Sequence, residues 1–234
     1  MCSNCGVTVG DSLDHNWTFK ACEAYMVCTR CNSVGGQYVR HKWKDNVCEV
    51  CQQHYCGYYG HDFFYNRCYE CSAFDEESTA QAKKILPAVI TEGMSEYEKV
   101  KAIHDYIAGN TKYDRENLEN DTIPDSSYSP LGVFVHGTAV CQGYAYAFEL
   151  LCDLAGVDCV LVTGTADGGG HAWNQVKVDG KWYNIDVTWD DPIYTFNGVP
   201  MDIICYDYFL ISDSQMYKDH IAEDAKYICN ESYQ

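Results

Sequence analysis

The chain has 234 residues, of which 47% are hydrophobic and 21% charged. That balance suits a folded protein of one large domain or two unequal ones, and a formal charge of −18 argues against binding nucleic acid through its phosphates. No apolar run reaches the roughly 18 residues that a membrane-spanning helix needs. The first residues, MCSNCG, have neither the basic nor the apolar region of a secretory signal. The expected location is therefore cytoplasmic if these residues are the whole protein, and secreted or cell-surface if they are an excised piece.

Ten of the 15 cysteines lie in residues 1–71, a stretch with few aliphatic residues and no long apolar period. So small a region needs a covalent or metal staple to fold. A repeat supplies one. The pairs Cys2/Cys5, Cys28/Cys31 and Cys48/Cys51 are each followed, with nine residues between, by His15, His41 and His61. An aromatic stands two residues beyond each histidine (Trp17, Trp43, Phe63), and a fourth pair, Cys68/Cys71, closes the series. Thiolate and imidazole from short loops are the ligands of tetrahedral structural zinc, whose binding energy becomes folding energy. Two or three ions are expected in residues 1–74, as a small zinc-ribbon-like domain. The pairing stays open: neighbouring CxxC pairs join, or each histidine completes a site with Cys22 or Cys56. A disulfide framework is the alternative, and it would leave the recurring histidines without a role.

The second region is set at 75–234. Residues 78–90 and 95–109 read as helices, the second opened by a capping box of Ser95 and Glu98. Val100, Ile103 and Ile107 give it one apolar face, and His104 reads as a satisfied packing residue. From 110 to 138 the chain is polar and turn-rich. A third helix is predicted over 141–155, with Phe148, Leu151, Cys152 and Ala155 at helical spacing and Gly156 as a left-handed cap. Cys141 then sits in the first turn, where free backbone N–H groups and the helix dipole favour negative charge.

Beyond Gly156 the period becomes two. Residues 158–164 read as a buried strand; the glycine run 167–170 leads into 171–178, and Asp179-Gly180 signals a two-residue hairpin returning through 181–187. With that loop Val178 faces Lys181, Trp173 faces Asp186 and His171 faces Thr188. His171 and Asp186 become diagonal neighbours on one face, roughly 7 to 8 Å apart at the backbone. A carboxylate holding one imidazole nitrogen while the other points outward is the base-and-orienter arrangement of nucleophilic catalysis.

The segments VCQGYAYAFELL, GGGHAWNQVKVDGKWYNIDVTWDDP and YDYFLISDSQM together resemble the bacterial transglutaminase-like superfamily over roughly residues 78–218. The resemblance implies an α+β, papain-like core of helices packed on an antiparallel sheet. It implies a triad of Cys141 as nucleophile, His171 as base and Asp186 as orienting carboxylate, with Asp190 and Asp191 as rivals for that last role. It also implies an oxyanion hole from the Cys141 N–H and an upstream side chain, Tyr128 or Tyr113, with His136 left as loop structure. The expected activity is hydrolysis of peptide or amide bonds through a thioester, on a protein or peptide substrate. Transamidation is the alternative, and a non-catalytic zinc-stabilised interaction module the second. Nothing marks an EF-hand. Cys152, Cys159, Cys205 and Cys229 read as core residues; His54 and His220 carry no assigned role, and oligomeric state is not indicated.

Overall fold

A computed structural model describes residues 74–196 and 199–233, together with short strands and one turn before residue 74. The chain divides into two compact units, Met1–Ala73 and Phe74–Gln234. In the first, β1 (Trp17–Phe19), β2 (Met26–Cys28) and β3 (Val34–Gly35) form an antiparallel sheet. The pairs β4 (Trp43–Lys44) with β5 (Val47–Cys48), and β6 (Phe63–Phe64) with β7 (Arg67–Cys68), form hairpins. The register repeats: Trp17 faces Cys28, Trp43 faces Cys48 and Phe63 faces Cys68. Each aromatic of the sequence repeat is thus paired with the first cysteine of the following CxxC. Other zinc-ligand candidates, Cys2, Cys5, Cys31, Cys51, Cys71, His15, His41 and His61, lie outside the described residues, as do Cys22 and Cys56.

The second unit is α+β. Asp75 opens α1 (Glu76–Val89) by accepting from the Ser78 N–H at 2.7 Å, two residues earlier than the apolar spacing indicates. Ser95 opens α2 (Glu96–Asn110), and the capping box closes with both hydrogen bonds made. The third long helix, α4 (Cys141–Ala155), ends on Gly156 at φ 75, the left-handed conformation that glycine adopts without strain. Helix α4 is buried from Gly143 through Cys152, because α1 and α2 cover one side and the sheet the other. Phe148, Leu151, Val100, Ile103, Ile107, Val176 and Ile185 are fully buried in this unit, and Val162 packs in a second cluster with Trp173, Ile211 and Met216.

That sheet runs β12-β11-β10-β15, built from β10 (Cys159–Ala166), β11 (Gly169–Val178), β12 (Lys181–Ile185) and β15 (His220–Ala222). Asp179 and Gly180 both have positive φ, 50 and 79, as a primed two-residue turn requires, and Val178 faces Lys181 as the turn chemistry dictates. A second turn of the same kind, Asp167-Gly168, joins β10 to β11. Half of the glycine run therefore belongs to the strand. The ladder between β11 and β12 stops at Asn174 and Ile185, so Asp186 begins a loop instead of continuing opposite Trp173. At the other edge, a Cβ on Gly164 would lie 2.0 Å from the Ile221 carbonyl oxygen, so only glycine lets β15 approach β10 this closely. Strands β13 (Ile193–Phe196) and β14 (Val199–Asp202) form a separate hairpin.

The polar stretch 110–138 is more ordered than its composition suggests. It holds β8 (Lys112–Tyr113), α3 (Arg115–Glu119), a 3-10 turn at Asp125–Tyr128 and a π-helical turn at Gly132–His136. It closes with β9 (Thr138–Ala139), parallel to β8. A short helix, α5 (Asp213–Met216), lies near the C-terminal end.

Candidate active site

The start of α4 is fixed from behind. The Ser127 carbonyl accepts from the Val140 N–H at 2.9 Å, and the Asp114 carboxylate accepts from the Ser127 hydroxyl at 2.7 Å. Gly143 lies against this support: a Cβ there would meet the Ser127 carbonyl oxygen at 2.5 Å. Val140 caps α4 with no side-chain acceptor, so the first-turn N–H groups beside Cys141 are not taken by a cap. Cys141 itself is half-buried and unbridged.

Across from it, His171 stands near the start of β11. Its Nε2 donates to Asp186 Oδ2 at 2.6 Å, which leaves Nδ1 for the neighbouring Cys141 sulfur. Burial opposes charge on the ring, but the Asp186 carboxylate and the Cys141 sulfur outweigh it and raise the His171 pKa to about 10. The structure thus brings Cys141, His171 and Asp186 together.

Asp186 is 1% exposed and has both oxygens occupied. Oδ1 accepts from the backbone N–H groups of Thr188 and Trp189 at 2.9 and 3.1 Å. Oδ2 accepts from His171 and also from His220 Nε2, at 3.1 Å. Burial pushes this carboxyl up, and the two histidines pull it down to about 2. The neighbouring carboxylates have other duties. Asp190 takes His104 Nε2 at 3.1 Å and the Tyr208 N–H at 2.9 Å, and Asp191 takes the Tyr144 hydroxyl at 2.6 Å. His104 is fully buried as expected, yet it does more than pack: it ties α2 to the loop that carries Asp186.

Tyr113, one of the two tyrosine candidates, lies in the neighbourhood of Cys141 and Asp186. Burial, with the nearby Cys141, Tyr128 and Asp186, pushes its hydroxyl up to about 12, so it keeps a proton to donate. Tyr128 is half-buried, and its backbone carbonyl accepts from Gln142 Nε2 at 3.2 Å. His136 is exposed at the end of the π-helical turn.

Sequence reasoning missed His220 and the aromatic rings around it. Trp189, Trp173 and Tyr208 lie 4.5, 5.2 and 5.3 Å from the His220 ring, and Trp189 and Trp173 flank His171 as well. His171, Asp186 and His220 offer three metal-ligating atoms within 4.8 Å of one another. Their mutual hydrogen bonds account for that convergence. No signal local to residues 217–222 marks His220, since β15 reaches the site only through its pairing with β10.

Residues 83–187 match the family model of the transglutaminase-like superfamily. This segment, a little under half of the chain, is similar to that superfamily. It holds α2, α4, β10, β11 and β12 together with Cys141, His171 and Asp186, whereas β15 lies beyond it. The chain is 27% identical over 154 residues to the Kyphoscoliosis peptidase of Mus musculus, covering 60% of this chain and 23% of that protein. The human Kyphoscoliosis peptidase matches at 27% over 155 residues, again 60% of this chain and 23% of its own length. The chain therefore spans under a quarter of the length of these curated relatives. Among solved structures, a TGase crystal structure aligns with TM-score 0.42 and 27% identity, over 48% of this chain and 32% of that one. The periplasmic domain of TgpA from Pseudomonas aeruginosa aligns with TM-score 0.36 and 18% identity, over 49% of this chain and 42% of its own.

Proposed function

We propose that the transglutaminase-like unit is a cysteine-nucleophile hydrolase of peptide or amide bonds. The observation that carries this reading is the 2.6 Å contact of His171 with the fully satisfied Asp186, beside Cys141 at the start of α4. The thiolate is the attacking form, and His171 is the neighbouring group that can take the thiol proton. Cys141 Sγ bonds to the carbonyl carbon, and the developing oxyanion is met by α4 first-turn N–H groups and by the Tyr113 hydroxyl. As the C–N bond breaks, His171 gives its Nδ1 proton to the leaving amine, and a thioester remains. Neutral His171 then takes a proton from water, whose oxygen displaces the sulfur and releases the acid. An amine in place of that water would give transamidation from the same thioester. The name of the mouse and human relatives, peptidase, supports the hydrolytic branch.

The test is to incubate the protein and its Cys141→Ala variant with a broad peptide pool, with and without a primary amine, and to follow products by mass spectrometry. Cleaved or deamidated peptides that vanish with Cys141→Ala are the expected result. Amine adducts that vanish would redirect the reading to a transferase, and product sets identical in the two proteins would overturn it.

For residues 1–74 we propose two or three structural zinc ions on the Cys and His repeat, which supports no chemistry of its own. Metal analysis of the purified protein should return that stoichiometry, reduced in Cys28→Ser. A metal-free protein with intact CxxC disulfides would show the staple to be covalent instead.

A further inference from the structure

We propose that His220 is a positioning residue for the acyl-transfer chemistry, acting on Cys141 and His171 only through Asp186; the inference rests on the hydrolase reading above. A carboxylate can only accept, so the 3.1 Å contact of His220 Nε2 with Asp186 Oδ2 is an N–H donated to the same oxygen that holds His171. With Thr188 and Trp189 on Oδ1, the carboxylate has four donors and no free rotation about its last bond.

The arrangement continues outward. His220 Nδ1 faces Asp219 Oδ1 at 2.6 Å, and Asp219 Oδ2 accepts from the Tyr208 hydroxyl at 2.6 Å. The His220 side chain is fully buried, whereas Asp219 keeps 36% of its side chain exposed, so the relay begins at the surface and ends at the thiol. Trp189, Trp173 and Tyr208 surround the ring and keep water from Asp186. The backbone is built to deliver His220 there: it pairs with Ala166 at the end of β15, and the bare Cα of Gly164 permits that pairing. A buried histidine serving only to fill space would not need two aligned carboxylates.

The experiment reads the second-order rate of Cys141 alkylation by iodoacetamide at neutral pH, resolved from other cysteines by peptide mass spectrometry. It needs no substrate. The set is wild type, Asp186→Asn, His220→Leu, His220→Gln, Asp219→Ala and the double variant Asp186→Asn/His220→Leu. His220→Leu should be about 10- to 100-fold slower, the scale of loss when a supporting group lets reacting atoms drift. His220→Gln, which keeps an N–H donor at a similar reach, should recover most of that rate. The double variant should be no slower than Asp186→Asn alone, because a residue acting through Asp186 has nothing left to act on. Additive losses would mean a general packing role and overturn the proposal. So would a wild-type rate for His220→Leu while Asp186→Asn is slow. Should His220→Leu not fold, Asp219→Ala decides, since its site is exposed: slower alkylation supports the relay and an unchanged rate overturns it. An unchanged rate for Asp186→Asn would sink the hydrolase reading together with this one.

Discussion

Asp186→Asn should lower kcat/KM on the best peptide of the pool by roughly 10³- to 10⁴-fold with the fold retained, the scale seen when an orienting carboxylate of a triad becomes an amide. The reason is geometric as well as electrostatic. Asp186 Oδ2 is 2.6 Å from His171 Nε2, so it fixes the tautomer that leaves Nδ1 toward Cys141. An amide nitrogen at that position would present a donor to a donor, and the ring would turn or switch tautomer. An amide that instead kept its oxygen toward His171 would aim its N–H₂ at the Thr188 and Trp189 N–H groups, leaving three buried donors in conflict. Either orientation removes the charge that holds the imidazolium. Steady-state rates with circular dichroism on both proteins check this, and a loss under about tenfold, well below what such a carboxylate supplies, would move the orienting role elsewhere. Asp190 and Asp191 are poor heirs, since their oxygens already serve His104, Tyr208 and Tyr144.

The second large effect is on stability against pH. His171 titrates near 6.5 in an unfolded chain and is raised to about 10 in the fold. Its contribution is therefore complete below about 6.5 and is lost as pH rises toward about 10, because the folded state holds a proton that the unfolded state has released. The slope is at most about 1.4 kcal/mol per pH unit for one group, so pH 7 to pH 9 should cost the unit on the order of 2 kcal/mol. Asp186 works at the other end: depressed to about 2, it contributes above about 4 and loses that contribution as pH falls through 2. His104, raised by Asp105 and Asp190 against its burial, adds to the alkaline loss, so the measurement must be a difference. Urea midpoints at pH 7 and pH 9 should differ far less in Asp186→Asn than in wild type. Labelling of the fully buried Cys152 and Cys159 reports this unit alone. Parallel pH dependence in the two proteins would count against the His171–Asp186 pair as the source.

Much of this unit was readable because its signals are local. Ser95 and Glu98 announce α2, Gly156 ends α4, and Asp179-Gly180 fixes the register of β11 on β12. His171 and Asp186 stand at the two ends of that one hairpin, so turn chemistry and the alternation of side chains were enough to set them close. The carboxylate nevertheless reaches His171 from a loop, after the ladder has stopped, a detail the period-two pattern cannot carry. What local signals could not give depends on partners distant in the chain. The parallel pairing of β8 with β9 orders a stretch that looks featureless by composition. His220 is placed by a strand of three residues whose only instruction, Gly164, lies in another strand and resembles an ordinary glycine until the neighbouring carbonyl is known.

The two-residue turns at Asp167-Gly168 and Asp179-Gly180 also set an order of events during folding. Both hairpins close over minimal loops, so β10, β11 and β12 can zip together early, with low entropy of closure. Docking of β15 spans a far longer loop and comes late. Until then Asp186 lies open to solvent, where its pull on His171 is weak. The contact between His171 and Asp186 would thus reach its final strength only as residues 204–233 settle.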